Sequence, residues 1–174
     1  MVCHKTFKNE SGEWVFPEDV IEDKGKFIEK RTNQIVKVGP SESMSKSKKN
    51  VIDPQTVINL FGADAVRWFV LSDSPPERDI QWSDEGISGS YKFIQKIWTV
   101  SEMIKNMDKN NKLSKEDKSK CEKTINKLIK EITFNIESFH FNVAVAKFYE
   151  FMNFLSKKLH ENKSEIMLFK KIFK

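Results

Sequence analysis

The most informative stretch of this sequence is residues 43–67, which read SMSKSKKNVIDPQTVINLFGADAVR. It begins with residues 43–50, a short basic segment rich in hydroxyl groups that is typical of a loop. Asp53 suits the N-cap of a helix, because its carboxylate can accept hydrogen bonds from free N–H groups, and Gly62 suits the end of that helix. Asp64 can cap a second short helix in the same way. The stretch therefore predicts a loop followed by two short helices.

Apolar residues recur at helical spacing in both predicted helices and mark the sides that we expect to face inward. They are Val57, Ile58, Leu60 and Phe61 in the first helix, and Val66, Phe69 and Val70 in the second. The run Ser74-Pro75-Pro76 then stops helical structure and begins an extended linker that reaches about Asp84.

The segment before the loop, residues 5–42, is polar and rich in Gly, Pro and charge. Its best strand candidates are residues 13–16 and 34–38. Turn signals lie at Ser11-Gly12 and Lys24-Gly25. We expect a small hairpin-like β insert here.

The chain after about Glu85 is expected to form one helix after another, because apolar stripes recur at helical spacing. The first stripe is Ile87, Tyr91, Ile94 and Trp98, widened by Phe93, Ile97, Val100 and Ile104; the second is Cys121, Ile125, Leu128, Ile132 and Ile136; the third is Ala144, Phe148, Phe151, Met152, Leu155 and Leu159. Residues 105–115 are a polar connection, and a last amphipathic segment begins near Ser164. The pattern predicts an antiparallel helical bundle that lacks its final members.

Composition limits the classes of function. A hydrophobic content of 39% with 14 Phe is enough for a core, and a net charge of +5 is weak evidence for an anionic partner. Cys3 and Cys121 are far apart and the three histidines are scattered, so we predict no metal site and a reducing, cytoplasmic setting. No apolar run is long enough to cross a bilayer, so no membrane association is expected. Apolar residues at both ends predict a fragment of a longer chain.

The loop at residues 43–47 has the chemistry of a phosphate site. Lys46 places an ammonium between Ser45 and Ser47, with two further lysines after it. Hydroxyl and backbone N–H groups can hydrogen-bond phosphate oxygens, and the positive end of the following helix is expected nearby. Composition alone favours a solvated loop over this interpretation, so the neighbouring motifs have to decide.

Several short motifs occur in order, at tight spacing, in and after this loop: Met44-Ser45-Lys46-Ser47, Asn50, Asp53-Pro54 and Gly62-Ala63-Asp64-Ala65-Val66-Arg67. Together they closely resemble the second signature of the class I aminoacyl-tRNA synthetases and the helix after it. Later residues look like the leucyl-tRNA synthetase family of the bacterial or organellar type: Pro75-Pro76-Glu77, Trp82-Ser83-Asp84, Gly86, Gly89, Lys92-Phe93 and Trp98. The resemblance covers almost the whole chain.

The resemblance implies a mainly α fold with a small β insert. Residues 1–84 would be the end of a class I, Rossmann-type catalytic domain, with the β-rich insert at about 5–42 and the MSKS phosphate loop at 43–50. Residues 85–174 would be a truncated helical tRNA-binding bundle of the anticodon-binding type.

The same resemblance implies an enzyme that activates leucine with ATP and ligates it to tRNA(Leu). ATP with Mg²⁺, leucine and tRNA(Leu) would be its ligands, and the full-length enzyme would be a monomer in the cytoplasm. The family's first signature, leucine pocket and editing domain are absent from this sequence, so the chain alone is expected to be inactive.

The resemblance also implies roles for the loop residues. Lys46 matches the family's ATP-contacting lysine and is the expected catalytic residue. The residues implied to form the ATP phosphate loop are Met44, Ser45, Lys46 and Ser47. Ser43 departs from the family pattern, which has lysine at this position, and Lys48 or Lys49 could take over the lost contact. No side chain is a convincing metal ligand.

Other interpretations remain open from the sequence. A valyl-, isoleucyl- or methionyl-type synthetase would share the loop, and a non-catalytic helical RNA-binding module would share the bundle. The lysines of residues 105–130 form a basic ribbon, although interleaved acids favour a solvated face. Arg67 is expected either to pair with Asp64 or to brace the loop, and a structural bracing role is preferred. Three tryptophans could stack on RNA but are expected in core or interdomain packing: Trp68, Trp82 and Trp98.

Overall fold

The computed structural model describes residues 1–106 and 114–160, and this part of the chain is mostly helical with two small β-sheets. The strands are β1 (Val2–Lys8), β2 (Trp14–Val15), β3 (Val20–Asp23), β4 (Lys26–Glu29), β5 (Lys37–Ser43) and β6 (Ile80–Gln81). The helices are α1 (Pro54–Phe61), α2 (Ala63–Asp73), α3 (Asp84–Lys105), α4 (Lys115–Glu137) and α5 (Phe141–His160). At this coarse level the predicted fold, mainly α with a small β part, is confirmed.

The larger sheet is built around β1. β2 and β5 pair with β1 in antiparallel orientation, and β6 pairs in parallel with its first residues. In the β1–β5 pair Cys3 lies opposite Ser43 and Phe7 opposite Val38. This register places the end of β5, where the loop starts, beside the beginning of β1.

The smaller sheet is the β3–β4 hairpin, which turns at Lys24-Gly25 as predicted. Both turn residues have positive φ, 48° and 77°, a conformation that glycine adopts without strain. The core shared by the hairpin and the larger sheet consists of Phe7, Val15 and Val36, with Val20 and Phe27 packed against it.

The predicted strand at residues 34–38 is wrong in its bounds, because β5 starts later and continues well past it. Gly39 and Pro40 lie inside β5, although both residues discourage strands. Thr6 of β1 contacts both residues. Its hydroxyl donates a hydrogen bond to the Pro40 carbonyl (3.1 Å), and a Cβ atom on residue 39 would lie only 2.4 Å from the hydroxyl oxygen, so glycine fits there. The strand predicted at residues 13–16 shortens to β2.

Helix α1 begins and ends as predicted. The Asp53 carboxylate accepts hydrogen bonds from the N–H groups of Gln55 (3.3 Å) and Thr56 (2.9 Å), and Gly62, at φ 82°, ends the helix. Its predicted inward face is largely wrong, because only Val57 of the four apolar residues is buried. A helix this short has room for few contacts with its neighbours.

The predicted cap of α2 is wrong. Gly62 precedes this helix and makes no side-chain cap bond, whereas Asp64 lies inside the first turn. There Asp64 forms the predicted pair with Arg67, at 2.8 Å between exposed side chains. Of the predicted inward face, Phe69 is buried and Val70 is exposed.

The predicted inward face of α3 is also partly wrong. Tyr91 and Trp98, from the first predicted stripe, are exposed, and Trp98 is 62% exposed. The buried residues of α3 are Ile87, Ser90, Phe93, Val100 and Ile104. Ser90 fits among them because its hydroxyl donates to the Gly86 carbonyl (3.0 Å). The expectation of core packing therefore fails for Trp98.

Helices α4 and α5 are antiparallel neighbours, as predicted. The short connection at residues 138–140 joins them, and Lys147 of α5 reaches back to Glu131 of α4 (3.4 Å). Of the second stripe, Cys121, Ile125 and Leu128 are buried and Ile136 is exposed; of the third, Ala144, Phe151, Met152, Leu155 and Leu159 are buried. The segment predicted near Ser164 and most of the predicted connection lie outside the described residues. No described helix is both long and apolar enough to cross a membrane.

Two apolar cores hold the helical part together, and α3 contributes to both. The first contains Val57, Ala65, Phe69 and Ile87, from α1, α2 and α3. The second joins α3, α4 and α5 through Phe93, Val100, Ile104, Ile125, Leu128, Phe151, Met152, Leu155 and Leu159. Trp68 of α2 stacks on Phe93 with ring centroids 4.8 Å apart, and Trp82 packs edge-on against Phe69, so both tryptophans pack as predicted.

Candidate phosphate-binding loop

The candidate loop comprises residues 44–50 and connects β5 to the start of α1. The predicted loop began one residue earlier, at Ser43, but Ser43 is the last residue of β5 and pairs with Cys3. The Met44 N–H still donates to the Val2 carbonyl (3.1 Å), so the first residue of the loop is tied to the sheet. The loop therefore leaves the sheet from a fixed point.

Asn50 closes the loop at its other end. This side chain is 1% exposed, and its oxygen accepts a hydrogen bond from the Ser45 N–H (2.8 Å). Its NH₂ group lies within hydrogen-bond distance of the carbonyls of His4 (3.3 Å), Glu42 (3.1 Å) and Ser43 (3.3 Å). One buried amide thus links β1, the end of β5 and the front of the loop.

The hydroxyls of Ser45 and Ser47 shape the loop from inside. Their oxygens lie 3.1 Å apart, and the Ser45 oxygen also accepts from the Lys48 N–H (3.3 Å). The Lys49 N–H donates to the Lys46 carbonyl (3.2 Å), and Lys49 has φ 53°. These contacts form a tight turn that carries Lys46 at its tip.

Lys46 is the loop lysine most available to a ligand. Its side chain is exposed, and its ammonium makes no hydrogen bond or ion pair within residues 1–106 and 114–160. Lys48, in contrast, pairs with Glu42, and the Lys49 ammonium lies 5.3 Å from the centre of the Phe16 ring. Both substitutes proposed for the missing family lysine are therefore already in contact with the sheet region.

The N-terminus of α1 offers less to an anion than the sequence suggested. The Asp53 carboxylate already accepts from two of its N–H groups and from the Thr56 hydroxyl (2.6 Å). The Thr56 hydroxyl, followed by the backbone N–H groups, holds the pKa of Asp53 below its ordinary value. The negative charge of this carboxylate already interacts with the positive end of the helix dipole. A phosphate would therefore gain little stabilisation from that dipole.

A cavity of about 610 Å³ lies between the sheet region, α1 and the start of α3. Its charged lining includes Glu18, Glu22, Asp53, Asp84, Glu85 and Lys5, together with His4. Burial lowers the pKa of His4 and so disfavours the charged imidazolium. Carboxylates dominate this lining and no residue of 43–47 contributes to it, so the cavity does not suit phosphates.

Among the described residues, no three His, Cys, Asp or Glu side chains are grouped in a way that could hold a metal ion. We therefore assign no residue of 1–106 or 114–160 to Mg²⁺. The sequence pattern indicates Lys46 directly, whereas Asn50 is indicated only as one residue of a motif. The contact of Asn50 with His4 spans 46 residues, so no local pattern could predict it. The place of Asn50 in the motif was the one signal in the sequence.

Comparison with known proteins shows which proteins the chain is similar to. The family model for tRNA synthetases class I (I, L, M and V) matches residues 21–83. The leucine–tRNA ligase of Orientia tsutsugamushi (strain Boryong) is 45% identical over 159 residues, which cover 90% of this chain and 18% of that protein. The leucine–tRNA ligase of Rickettsia bellii (strain RML369-C) is 43% identical over 166 residues, covering 95% and 19%.

A solved structure agrees with these sequence matches. It is the ternary complex of Agrobacterium radiobacter K84 agnB2 LeuRS with tRNA and LeuAMS. Its TM-score to this chain is 0.60 at 25% identity, over 72% of this chain and 17% of that one. The chain is therefore homologous to one stretch of the leucine–tRNA ligases, within the class I tRNA synthetases, and spans about a fifth of their length.

Proposed function

We propose that this chain is the part of a leucine–tRNA ligase that holds the phosphates of ATP while leucine is activated. The observation that carries the proposal is the exposed Lys46 ammonium on a loop whose ends are fixed by one buried amide. The family match supports it, because class I tRNA synthetases use ATP to activate their amino acid. We also propose that residues 1–84 end a Rossmann-type catalytic domain and that residues 85–174 belong to an anticodon-binding-type bundle.

The chemistry asks for charge stabilisation more than for proton transfer. An oxygen of the leucine carboxylate attacks the α-phosphorus of ATP, the bond from that phosphorus to the bridging oxygen breaks, and pyrophosphate leaves. The attacking carboxylate is already ionised at neutral pH, so no general base is needed. Lys46 would stabilise the negative charge that gathers on the departing phosphates. The leucyl group then passes from the adenylate to the terminal ribose of tRNA(Leu), and AMP leaves.

The other loop residues would set the position of that ammonium. Ser45 and Ser47 hold each other and the Lys48 N–H, so their hydroxyls are partly used inside the loop. Met44 ties the loop to the sheet. The N–H groups of Lys46 and Ser47 remain as further donors to phosphate oxygens. Mg²⁺ would arrive with the ATP phosphates and supply additional positive charge there.

The bundle is the proposed contact with tRNA(Leu). The lysines of α4 form its basic surface, although some pair with acids of the same helix, as Lys120 does with Glu116 (2.6 Å). Such exposed pairs are weak and can exchange an acid for a phosphate. The structural neighbour was solved with tRNA, which supports a tRNA-facing role for this region. We place the enzyme in the cytoplasm, where its substrates are made and used.

The test uses a hybrid enzyme, the Orientia tsutsugamushi leucine–tRNA ligase carrying this chain in place of its matching stretch. Lys46→Ala is expected to lower leucine-dependent pyrophosphate exchange by about 10²- to 10³-fold, because one charge contact in the transition state is lost. Lys37→Ala is the matched control, since Lys37 is an exposed lysine of β5 outside the loop.

The control should exchange pyrophosphate at the rate of the unmodified hybrid. Near-normal exchange by Lys46→Ala, in a hybrid that is active before the change, would refute the assignment of Lys46 to the ATP phosphates.

A further inference from the structure

Asn50 stands out among the described residues as a fully satisfied polar side chain in a buried place. Its side chain is 1% exposed, yet the reaction outlined above gives it no contact with a substrate. Burying an amide is costly unless its donors and acceptor are all used. Here one oxygen and two N–H groups meet one N–H and three carbonyls.

The chemistry of these contacts fixes the orientation of the amide. The Ser45 N–H can only donate, so the side-chain oxygen of Asn50 must face it. The carbonyls of His4, Glu42 and Ser43 can only accept, so the NH₂ group must face them. A carboxylate in the same place would keep the first contact and set negative charge against three carbonyl oxygens. An aspartate is therefore a sharp test of this arrangement.

The arrangement confines the loop. The amide holds the N–H of Ser45 on one side and the end of β5 on the other, so residues 46–49 lie between two residues joined by a hydrogen bond, Ser45 and Asn50. Within that segment, the N–H groups of Lys46 and Ser47 have no hydrogen-bond partner among the described residues. The position of the Lys46 ammonium thus depends on where Asn50 fixes the base of the turn.

We propose that Asn50 is a positioning residue for adenylate formation, acting through the loop to set where the Lys46 ammonium lies. The catalytic effect of Asn50 rests on the proposed function of Lys46, whereas the restraint of the loop by Asn50 does not depend on that function. Positioning errors of about 1 Å can lower an enzymatic rate by roughly 10²-fold.

The restraint is tested by hydrogen exchange on the 174-residue chain. The Ser45 amide should exchange more slowly than the neighbouring amides of Lys46 and Ser47. Asn50→Ala should remove this protection, and Asn59→Ala, a change of an exposed asparagine on α1, should leave it in place. Equal exchange of the three amides in the unmodified chain overturns the proposal, and that measurement needs no variant to fold.

The catalytic effect is tested by a double-mutant cycle in the hybrid enzyme. Asn50→Asp should lower the kcat of pyrophosphate exchange by about 10²-fold. The KM for leucine should stay the same, and Asn59→Asp should have no effect. In a Lys46→Ala background the same Asn50→Asp change should cost less than about threefold, because groups that act as one unit are not additive.

The outcomes separate the two proposals. A loss from Asn50→Asp that is equally large with and without Lys46 overturns positioning and indicates a general structural role. If Lys46→Ala alone has no effect, the proposed function fails, while slow exchange of the Ser45 amide still supports the restraint on the loop.

Discussion

Ser43 is the residue predicted to stand where the class I signature carries a lysine, and its hydroxyl makes only long side-chain contacts. Its hydroxyl lies 3.9 Å from the Cys3 sulfur and 3.9 Å from the Met1 sulfur. Both distances are long for strong hydrogen bonds. A longer side chain at this position would therefore give up little, and it would start from the strand end next to the loop.

Replacing Ser43 by lysine should preserve or increase activity. We expect the Ser43→Lys hybrid to exchange pyrophosphate at the same rate as the unmodified hybrid or faster, because a second positive charge joins Lys46. Ser43→Ala, which removes the hydroxyl without adding charge, is the control and should leave the rate unchanged. A drop of more than about tenfold in Ser43→Lys would mean that this position cannot admit a lysine.

Residues of the loop differ in how far sequence could predict their roles. Lys46 could be chosen as the candidate residue from the sequence, because an ammonium between small hydroxyl residues is a local pattern and the motif around it is distinctive; its role stays a prediction. The role of Asn50 was not, because it depends on the carbonyl of His4, in a strand 46 positions away. The pairing of Lys48 with Glu42 was missed because the predicted strand ended at residue 38, so Glu42 was not expected on a strand beside the loop.

At the scale of elements, Asp53 caps the start of α1. Its carboxylate binds the Thr56 hydroxyl and two N–H groups, and these contacts hold the pKa of Asp53 below its ordinary value. The ionised form therefore contributes stability at pH values above the ordinary carboxyl pKa of about 3.9. That contribution disappears as the pH falls through the lowered pKa of the folded state.

This linkage predicts a change in acid sensitivity. Between neutral pH and about pH 3 the Asp53→Asn chain should lose less thermal stability than the unmodified chain, because no carboxylate at the cap has to be protonated. Asp64→Asn is the control, since Asp64 lies exposed inside α2 and caps no helix. Thermal unfolding followed by circular dichroism measures both. Equal acid sensitivity in Asp53→Asn and the unmodified chain would contradict the prediction.

The elements that sequence predicted well are those decided locally. The cap at Asp53 and the turn at Lys24-Gly25 depend on residues a few positions apart. The extent of β5 depends instead on Thr6 in another strand, and the inward face of α3 depends on which helices pack against it. The 4-3-4 spacing of large apolar residues therefore predicted that Trp98, which is exposed, would be buried, and it did not predict the burial of Ser90.

At the scale of the whole molecule, we expect the core formed by α3, α4 and α5 to contribute strongly to stability. Leu155 of α5 is completely buried in the core formed by α3, α4 and α5. Trp68 of α2 contacts Phe93 of α3, so this core includes a residue from each side of the proposed domain boundary at Asp84. That boundary stays a prediction. Large side chains outside the core, such as Trp98, should contribute much less to the free energy of unfolding.

Two substitutions test this view of the core. Leu155→Ala should lower the free energy of unfolding by about 2–5 kcal/mol, because it leaves a cavity in a packed interior. Trp98→Ala should change it by less than about 0.5 kcal/mol, because surface substitutions usually do. Denaturant unfolding of the 174-residue chain measures both. Losses of similar size would show that the side of α3 carrying Trp98 is covered in solution.

Helix α3 is a single unbroken element of 22 residues, about 33 Å long, with its first turns in one apolar core and the rest in the other. A helix of this length is a stiff rod, and rotating one core against the other would bend it or break its backbone hydrogen bonds. A displacement of the C-terminal end of α3 would therefore also shift the apolar core against which α1 packs.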